Sequence, residues 1–80
     1  MEGKMEGRLG FNRENNRYGL LVTDLWEVDG FHCGQAIEIK VAGKWINTRF
    51  EMNPAGEWYL VGTDLVGDDL EFLKARVWKP

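Results

Sequence analysis

The chain is poor in cysteine, and this scarcity excludes two classes of small stabilised domain. Cys33 is the only cysteine among 80 residues, so neither an intramolecular disulfide nor a zinc site built from several thiolates can form. Small secreted domains of this length usually contain several disulfides. The sequence therefore predicts a protein of a reducing compartment, and we expect it in the cytoplasm.

Long apolar segments are also missing. The first eight residues, Met1 to Arg8, contain four charged side chains and lack the apolar run of a signal peptide. Further along, no stretch approaches the ~20 apolar residues that a helix needs to span a bilayer. We therefore expect no association with a membrane.

Positive charge is scarce in most of the chain. Thirteen acidic side chains outnumber ten basic ones, which gives a net charge of −3. Most of the excess lies in two short segments, with Asp24, Glu27 and Asp29 in the first and Asp64, Asp68, Asp69 and Glu71 in the second. A protein that binds duplex nucleic acid normally presents a basic face. We therefore expect no direct binding of nucleic acid.

Aromatic residues and glycines are abundant for so short a chain, with four Trp, four Phe, two Tyr and ten Gly. Each buried aromatic side chain removes on the order of 150–250 Å² from water, which helps a short chain to build a core. A chain of this length has material for one core only. The prediction is a single domain over residues 1–80, with residues 1–4 flexible.

Apolar and polar residues alternate with a period of two through most of the chain, which predicts β-strands. The predicted strands cover residues 4–11, 17–23, 35–41, 44–52, 57–61 and 74–78. Five inward positions should be almost fully buried: Ile37, Ile39, Phe50, Leu60 and Val77. Residues 24–34 break the alternation and are predicted to form a long loop. Residues 62–73 favour a short helical turn, which Asp64 could cap.

About six short antiparallel strands favour a sheet that curls shut, because closure removes exposed edges. The prediction is an all-β fold, a small SH3-like antiparallel barrel with a short helical turn before the last strand. A barrel of the oligonucleotide-binding type is the alternative architecture.

The sequence contains few residues that could form a catalytic site. His32 and Cys33 are adjacent, and neighbouring residues of an extended segment point to opposite sides, so the imidazole would not reach the thiol. A buried, inert thiol is the expectation for Cys33. The neighbouring carboxylates Asp68 and Asp69 should be solvated, with nothing to raise either pKa. We expect no enzyme activity, no metal site and no cofactor.

One strand face has the composition of a binding surface. Residues 44–52 place Trp45, Asn47, Arg49 and Glu51 on the same side, and Tyr59 should lie beside them on the next strand. Exposed aromatic residues next to arginine are typical of interaction hot spots. The alternative is structural: Arg49 would simply pair with Glu51, and the bend of a small barrel would bury part of this face.

Motifs along most of the chain resemble a known family. The matching residues, between about residues 7 and 78, are Gly7-Arg8-Leu9, Arg17-Tyr18, His32-Cys33-Gly34, Ile37-Glu38-Ile39, Gly43-Lys44-Trp45, Thr48-Arg49-Phe50-Glu51 and Trp58-Tyr59-Leu60-Val61-Gly62. They are similar to short bacterial proteins grouped as a domain of unknown function, many of them encoded on mobile elements of Gram-positive bacteria. The resemblance implies a small β fold and no established activity.

Three functions are compatible with the sequence. The first is a noncatalytic module that binds a protein partner and serves a mobile genetic element. The second is an inhibitor of a host enzyme that targets nucleic acid, with the two acidic segments occupying the enzyme's basic channel. The third is binding of single-stranded nucleic acid by stacking on Trp45 and Tyr59, which the acidic balance disfavours.

Overall fold

The computed structural model describes residues 3–78, which form one seven-stranded antiparallel sheet. The strands are β1 (Lys4–Asn12), β2 (Arg17–Val22), β3 (Leu25–Val28), β4 (Ala36–Val41), β5 (Lys44–Met52), β6 (Trp58–Leu60) and β7 (Lys74–Trp78). Their order across the sheet is β3-β2-β1-β7-β4-β5-β6, so the last strand lies in the centre. The flexibility predicted for residues 1 and 2 lies outside the described residues, whereas Lys4 begins β1.

The sheet curls into a half-barrel, and the prediction of a small all-β antiparallel barrel is confirmed. The segment between β3 and β4 is hydrogen-bonded to strands in both halves of the sheet. The amide of Phe31 donates to the Tyr18 carbonyl of β2 at 2.7 Å, and the amide of Phe50 in β5 donates to the Gln35 carbonyl at 3.1 Å. The indole of Trp58 donates to the Asn16 carbonyl at 3.0 Å, which ties β6 to the turn after β1.

The predicted helical turn before the last strand is also present, as a single 3₁₀ turn at Gly67–Leu70. It buries Leu70 completely against the core. Asp64 does not cap it. The carboxylate of Asp69 instead accepts a hydrogen bond from the Val66 amide at 3.2 Å. The turn stays short because the chain must return to the sheet as β7.

The predicted loop over residues 24–34 was wrong in its first part, because Leu25–Val28 forms β3 and pairs with β2. Thr23 and Asp24 make the two-residue hairpin turn, with φ of 52° and 64°. Such turns favour Asn and Gly at these positions, and a β-branched threonine is a poor signal for positive φ. The Ala42-Gly43 turn, with φ of 52° and 79°, carries the more usual glycine and was predicted.

The core lies on the concave side of the sheet. Its fully or nearly fully buried members are Leu9, Tyr18, Leu20, Phe31, Ile37, Ile39, Phe50, Trp58, Leu60, Leu70 and Ala75. Four of the five positions predicted to be buried are among them, and Val77 is partly buried against the cluster. The phenyl rings of Phe31 and Phe50 stack with centroids 4.8 Å apart.

Inward alternation does not guarantee burial at the ends of strands. Ile46 and Met52 lie on the inward side of β5 but remain 39% and 43% exposed, and Val41 at the end of β4 is 37% exposed. β6 pairs only with residues 50–52 of β5, so the half of β5 that contains Ile46 extends past β6. Phe50 is buried opposite Leu60, whereas Met52, the last residue of β5, stays in contact with water opposite Trp58.

Candidate protein-binding face

The four side chains predicted to share one side of β5 do so. Trp45, Asn47, Arg49 and Glu51 all point away from the core, and Tyr59 on β6 pairs with Glu51 across the strands. We call the outward side of β1, β7, β4 and β5 the outer face. It is the convex side of the half-barrel, opposite the core.

Trp45 is half-buried and has two cationic side chains near its ring. The guanidinium of Arg76 lies 4.0 Å from the indole centroid, and the ammonium of Lys40 lies 5.5 Å from it. Cation–π contacts of this kind stabilise by roughly 0.5–2 kcal/mol, depending on how far the cation is removed from water. The indole is thus held in one orientation with a cation over its face.

Glu38 sits at the centre of the outer face and binds two cations. Its Oε1 accepts a hydrogen bond from Lys4 Nζ at 2.6 Å and from Arg76 Nε at 2.7 Å. These two hydrogen bonds hold the pKa of Glu38 below its usual range. Because Arg76 contacts both Glu38 and Trp45, the carboxylate, the guanidinium and the indole form one connected group.

Trp78 is a candidate binding residue that the sequence analysis did not single out. It is 65% exposed and pairs with Lys4, whose ammonium lies 4.6 Å from the ring centroid. A hollow of about 170 Å³ opens beside it, with Ala36, Asn47 and Arg76 among its lining residues. The alternation of β7 placed Trp78 on the outward side, but nothing in the sequence indicated that β7 lies next to β4.

The five residues predicted as a binding site share one side of β5 and β6 but contact different groups. Arg49 Nε lies 3.3 Å from Glu51 Oε2, so the ion pair of the structural alternative is formed. Tyr59 is half-buried and lines a different hollow, together with Asp64 and Val66. Trp45 and Asn47 instead face the group around Arg76. The structure therefore moves the centre of the candidate site from β5–β6 toward β7 and β4.

Charge is separated between the outer face and the rest of the chain. The cross-strand register places six basic side chains on this face: Lys4, Arg8, Lys40, Arg49, Lys74 and Arg76. The three acidic ones are Glu6, Glu38 and Glu51. Six against three leaves a net charge of +3 on the outer face. Among residues 3–78, the other three basic and nine acidic side chains give −6 elsewhere.

His32 and Cys33 lie on the surface, between β3 and β4. Both are exposed, so the expectation of a buried thiol was wrong. The segment turns outward here because Gly34, with φ of 86°, redirects the chain so that its amide reaches the Phe50 carbonyl at 2.7 Å. Among residues 3–78 there is no group of three or more His, Cys, Asp or Glu side chains arranged to hold a metal ion.

The acidic residues of the two segments are distributed over several hollows. Asp24 lines one with Arg8, Asp64 lines a second, and Asp68 and Glu71 line a third. Each of these three hollows draws from one acidic segment alone. The third hollow, of about 340 Å³, also contacts Tyr18.

The surroundings of Tyr18, which lines the third hollow, change the pKa of its hydroxyl. Its hydroxyl donates to the Gly67 carbonyl at 3.0 Å. Burial of the ring, together with the carboxylates of Glu71, Asp68 and Asp69, raises the pKa of Tyr18 above its usual value. A phenol in this setting stays protonated at neutral pH and serves as a hydrogen-bond donor.

The described part of the chain, residues 3–78, contains no helix of the length and apolarity required to cross a membrane. The family model of a domain of unknown function (DUF5348) matches residues 7–77, which is most of the chain. Neither the curated proteins nor the solved structures provide a significant match.

Proposed function

Because the chain belongs to the DUF5348 family of unknown function, we propose from its surface that it is a noncatalytic module that binds a protein partner through the outer face. The observation that carries this proposal is the group formed by Trp45, Arg76, Glu38 and Trp78. Tryptophan and arginine are the residues most enriched among binding hot spots.

The geometry of this group supports binding because it is already ordered. Arg76 is fixed by Glu38 at 2.7 Å and lies 4.0 Å from the Trp45 ring centroid. A partner that contacts these side chains would lose little side-chain entropy on binding. The adjacent hollow beside Trp78 offers apolar surface for one partner side chain.

The inhibitor hypothesis has less support. It requires the two acidic segments to act on one surface, whereas Asp24, Asp64 and Asp68 line three different hollows. In addition, the outer face is positively charged, and a basic nucleic-acid channel would repel it.

The experiment places a photo-crosslinking phenylalanine analogue at position 78 of the full chain, expressed in the native host. The matched control carries the analogue at Leu25 on β3, which is 67% exposed against 65% for Trp78 and lies outside the outer face. We expect a covalent adduct with one protein from position 78 and none from position 25. Trp45→Ala should remove the adduct while leaving the β-sheet circular dichroism spectrum unchanged.

Two results would contradict the proposal. Equal labelling from positions 78 and 25 would mean that the outer face is not selective. An adduct from position 25 alone would place the partner on another surface.

The proposal includes a setting: the cytoplasm of a bacterium, in the service of a mobile genetic element. Its support is the similarity of the chain's motifs to proteins encoded on such elements, together with the single cysteine. Deleting the gene should lower the transfer or maintenance frequency of the element that carries it. An unchanged frequency would count against this setting and leave the binding face untouched.

A further inference from the structure

Three cations lie side by side across the outer face. Arg8 on β1 pairs with Lys74 on β7. On the other side of β7, Arg76 pairs with Glu38 and Ala75 with Ile39, and extending this antiparallel register by one residue would place Lys40 beside Lys74. We call Arg8, Lys74 and Lys40 the cationic row. Lys40 pairs with Trp45, which ends the row with an aromatic ring.

The cationic row is poorly neutralised by the chain itself. Among residues 3–78, Lys74 forms the one salt bridge of the row, to Glu6 at 3.5 Å. The guanidinium of Arg8 donates to the Phe72 carbonyl at 3.2 Å, and Lys40 contacts the Trp45 ring. Asp24 also lines a hollow with Arg8, so three positive charges lie near two carboxylates, and the remaining excess of positive charge attracts an anion from outside the chain.

We infer that the cationic row is the docking site for an acidic, extended segment of the protein partner. This inference rests on the proposed function and names the chemistry of the partner. Neighbouring strands lie about 4.8 Å apart, so the row spans about 10 Å. That is the length of about three residues of extended peptide. Carboxylates at alternate positions of such a segment point to the same side and would meet the row.

The size of the outer face favours a short segment over a large globular surface. The stretch in which all four strands run side by side is no longer than the five residues of β7, about 17 Å, and four strands cover about 14 Å. The area of this shared stretch is roughly a third of the ~800 Å² that each partner buries in a standard interface. The hollow beside Trp78 lies on the same face and suits one apolar side chain of the segment.

Charge distribution favours an acidic peptide over a nucleic-acid strand. A strand carries phosphates at every nucleotide, and those beyond the row would meet Glu6, Glu38 or Glu51 on the same face. Any longer polyanion would then reach the remainder of the chain, whose net charge is −6. Useful binding of nucleic acid needs about as many unopposed cations as phosphate contacts. A short acidic segment would need only the three cations of the row for binding.

The test uses two probes with the full chain labelled with ¹⁵N. One is an acetylated octapeptide of alternating Glu and Ser, and the other is a ten-nucleotide oligothymidylate. Titration of each is followed by amide chemical shifts at about 50 mM salt, where screening is weak. We expect the peptide to bind weakly and to shift amides of β7 and β4, and the oligothymidylate to bind less tightly than the peptide.

Two variants separate local from overall charge effects. Lys40→Glu and Lys44→Glu change the net charge equally and flank the same Ala42-Gly43 turn, but only Lys40 belongs to the cationic row. We expect Lys40→Glu to weaken peptide binding about fivefold or more. Lys44→Glu should change the affinity by less than about twofold, because Lys44 pairs with Val41 and its side chain lies on the opposite side of the sheet from the row.

Each contrary outcome overturns the inference. Equal effects of the two substitutions would mean that the peptide senses only net charge, and no peptide binding would mean that the row is not a docking site. Tighter binding of oligothymidylate than of peptide would assign the row to nucleic acid. In the first two cases a crosslink from position 78 to a protein would still support the proposed function, so the two failures are distinguishable.

Discussion

Ile39 and Ile46 allow a direct test of where the core ends. They are cross-strand partners in the β4–β5 hairpin and lie on the same side of the sheet. Ile39 is completely buried, whereas Ile46 is 39% exposed. Replacing each by alanine removes the same three carbons from neighbouring positions. The two variants therefore differ in burial and in little else.

The expected losses of unfolding free energy differ by about 2 kcal/mol. Three carbons at ~0.8 kcal/mol each cost about 2.4 kcal/mol at a fully buried site. A cavity left behind raises the loss for Ile39→Ala to about 3–4 kcal/mol. Ile46 is partly in water already and leaves no closed cavity, so Ile46→Ala should cost about 1–1.5 kcal/mol.

Urea unfolding followed by tryptophan fluorescence measures both losses, and thermal melting gives a second readout. For a domain of this size, 1 kcal/mol corresponds to about 4–8 °C in Tm, so the two variants should melt about 8–16 °C apart. The whole domain has roughly 4–12 kcal/mol of stability. If Ile39→Ala fails to fold, Ile39→Val and Ile46→Val give the same comparison, with Ile39→Val costing about 1 kcal/mol and Ile46→Val less than half of that. Equal losses would refute the assignment of Ile39 to the core and of Ile46 to its exposed margin.

Three further predictions concern single positions. Glu38→Gln should lower stability at pH 7 by about 1–2 kcal/mol, because its two cations lose a charged partner. Folding lowers the pKa of Glu38, so the stabilisation by its carboxylate is complete above the unfolded-state pKa and is lost as the pH falls through the folded-state pKa. Wild type and variant should therefore have the same Tm at acid pH. Gly19→Ala should cost more than about 2 kcal/mol in a urea titration, since its Cβ would lie 2.2 Å from the Val28 carbonyl oxygen. Gly3→Ala, which meets nothing within 4 Å, is its control, and similar losses would refute the steric reason. Cys33→Ser should change stability by less than about 0.5 kcal/mol, and iodoacetamide should modify the native thiol; a protected thiol would contradict the exposed position of Cys33.

The described strands away from the missed hairpin could be predicted from local pattern. Alternation alone located β5 at residues 44–52 and β7 at residues 74–78, and it separated Ile39 from its outward neighbours Glu38 and Lys40. Local pattern is sufficient here because successive side chains of a strand point to opposite faces, so neighbouring residues show which face is buried. The strand β3 escaped prediction because Thr23 and Asp24 give no local signal of a tight hairpin turn.

The candidate site depended on pairing between distant strands. Glu38 accepts hydrogen bonds from Lys4, 34 residues away in the sequence, and from Arg76, 38 residues away. The guanidinium of Arg76 also lies over the ring of Trp45. The sequence by itself determined that the chain is a β protein with a limited core and an acidic balance. Only the tertiary structure decided that β7 inserts between β1 and β4, which gathers six of the ten basic residues on one convex face. Strand order follows from the packing of the whole sheet, and a local period of two carries no information about it.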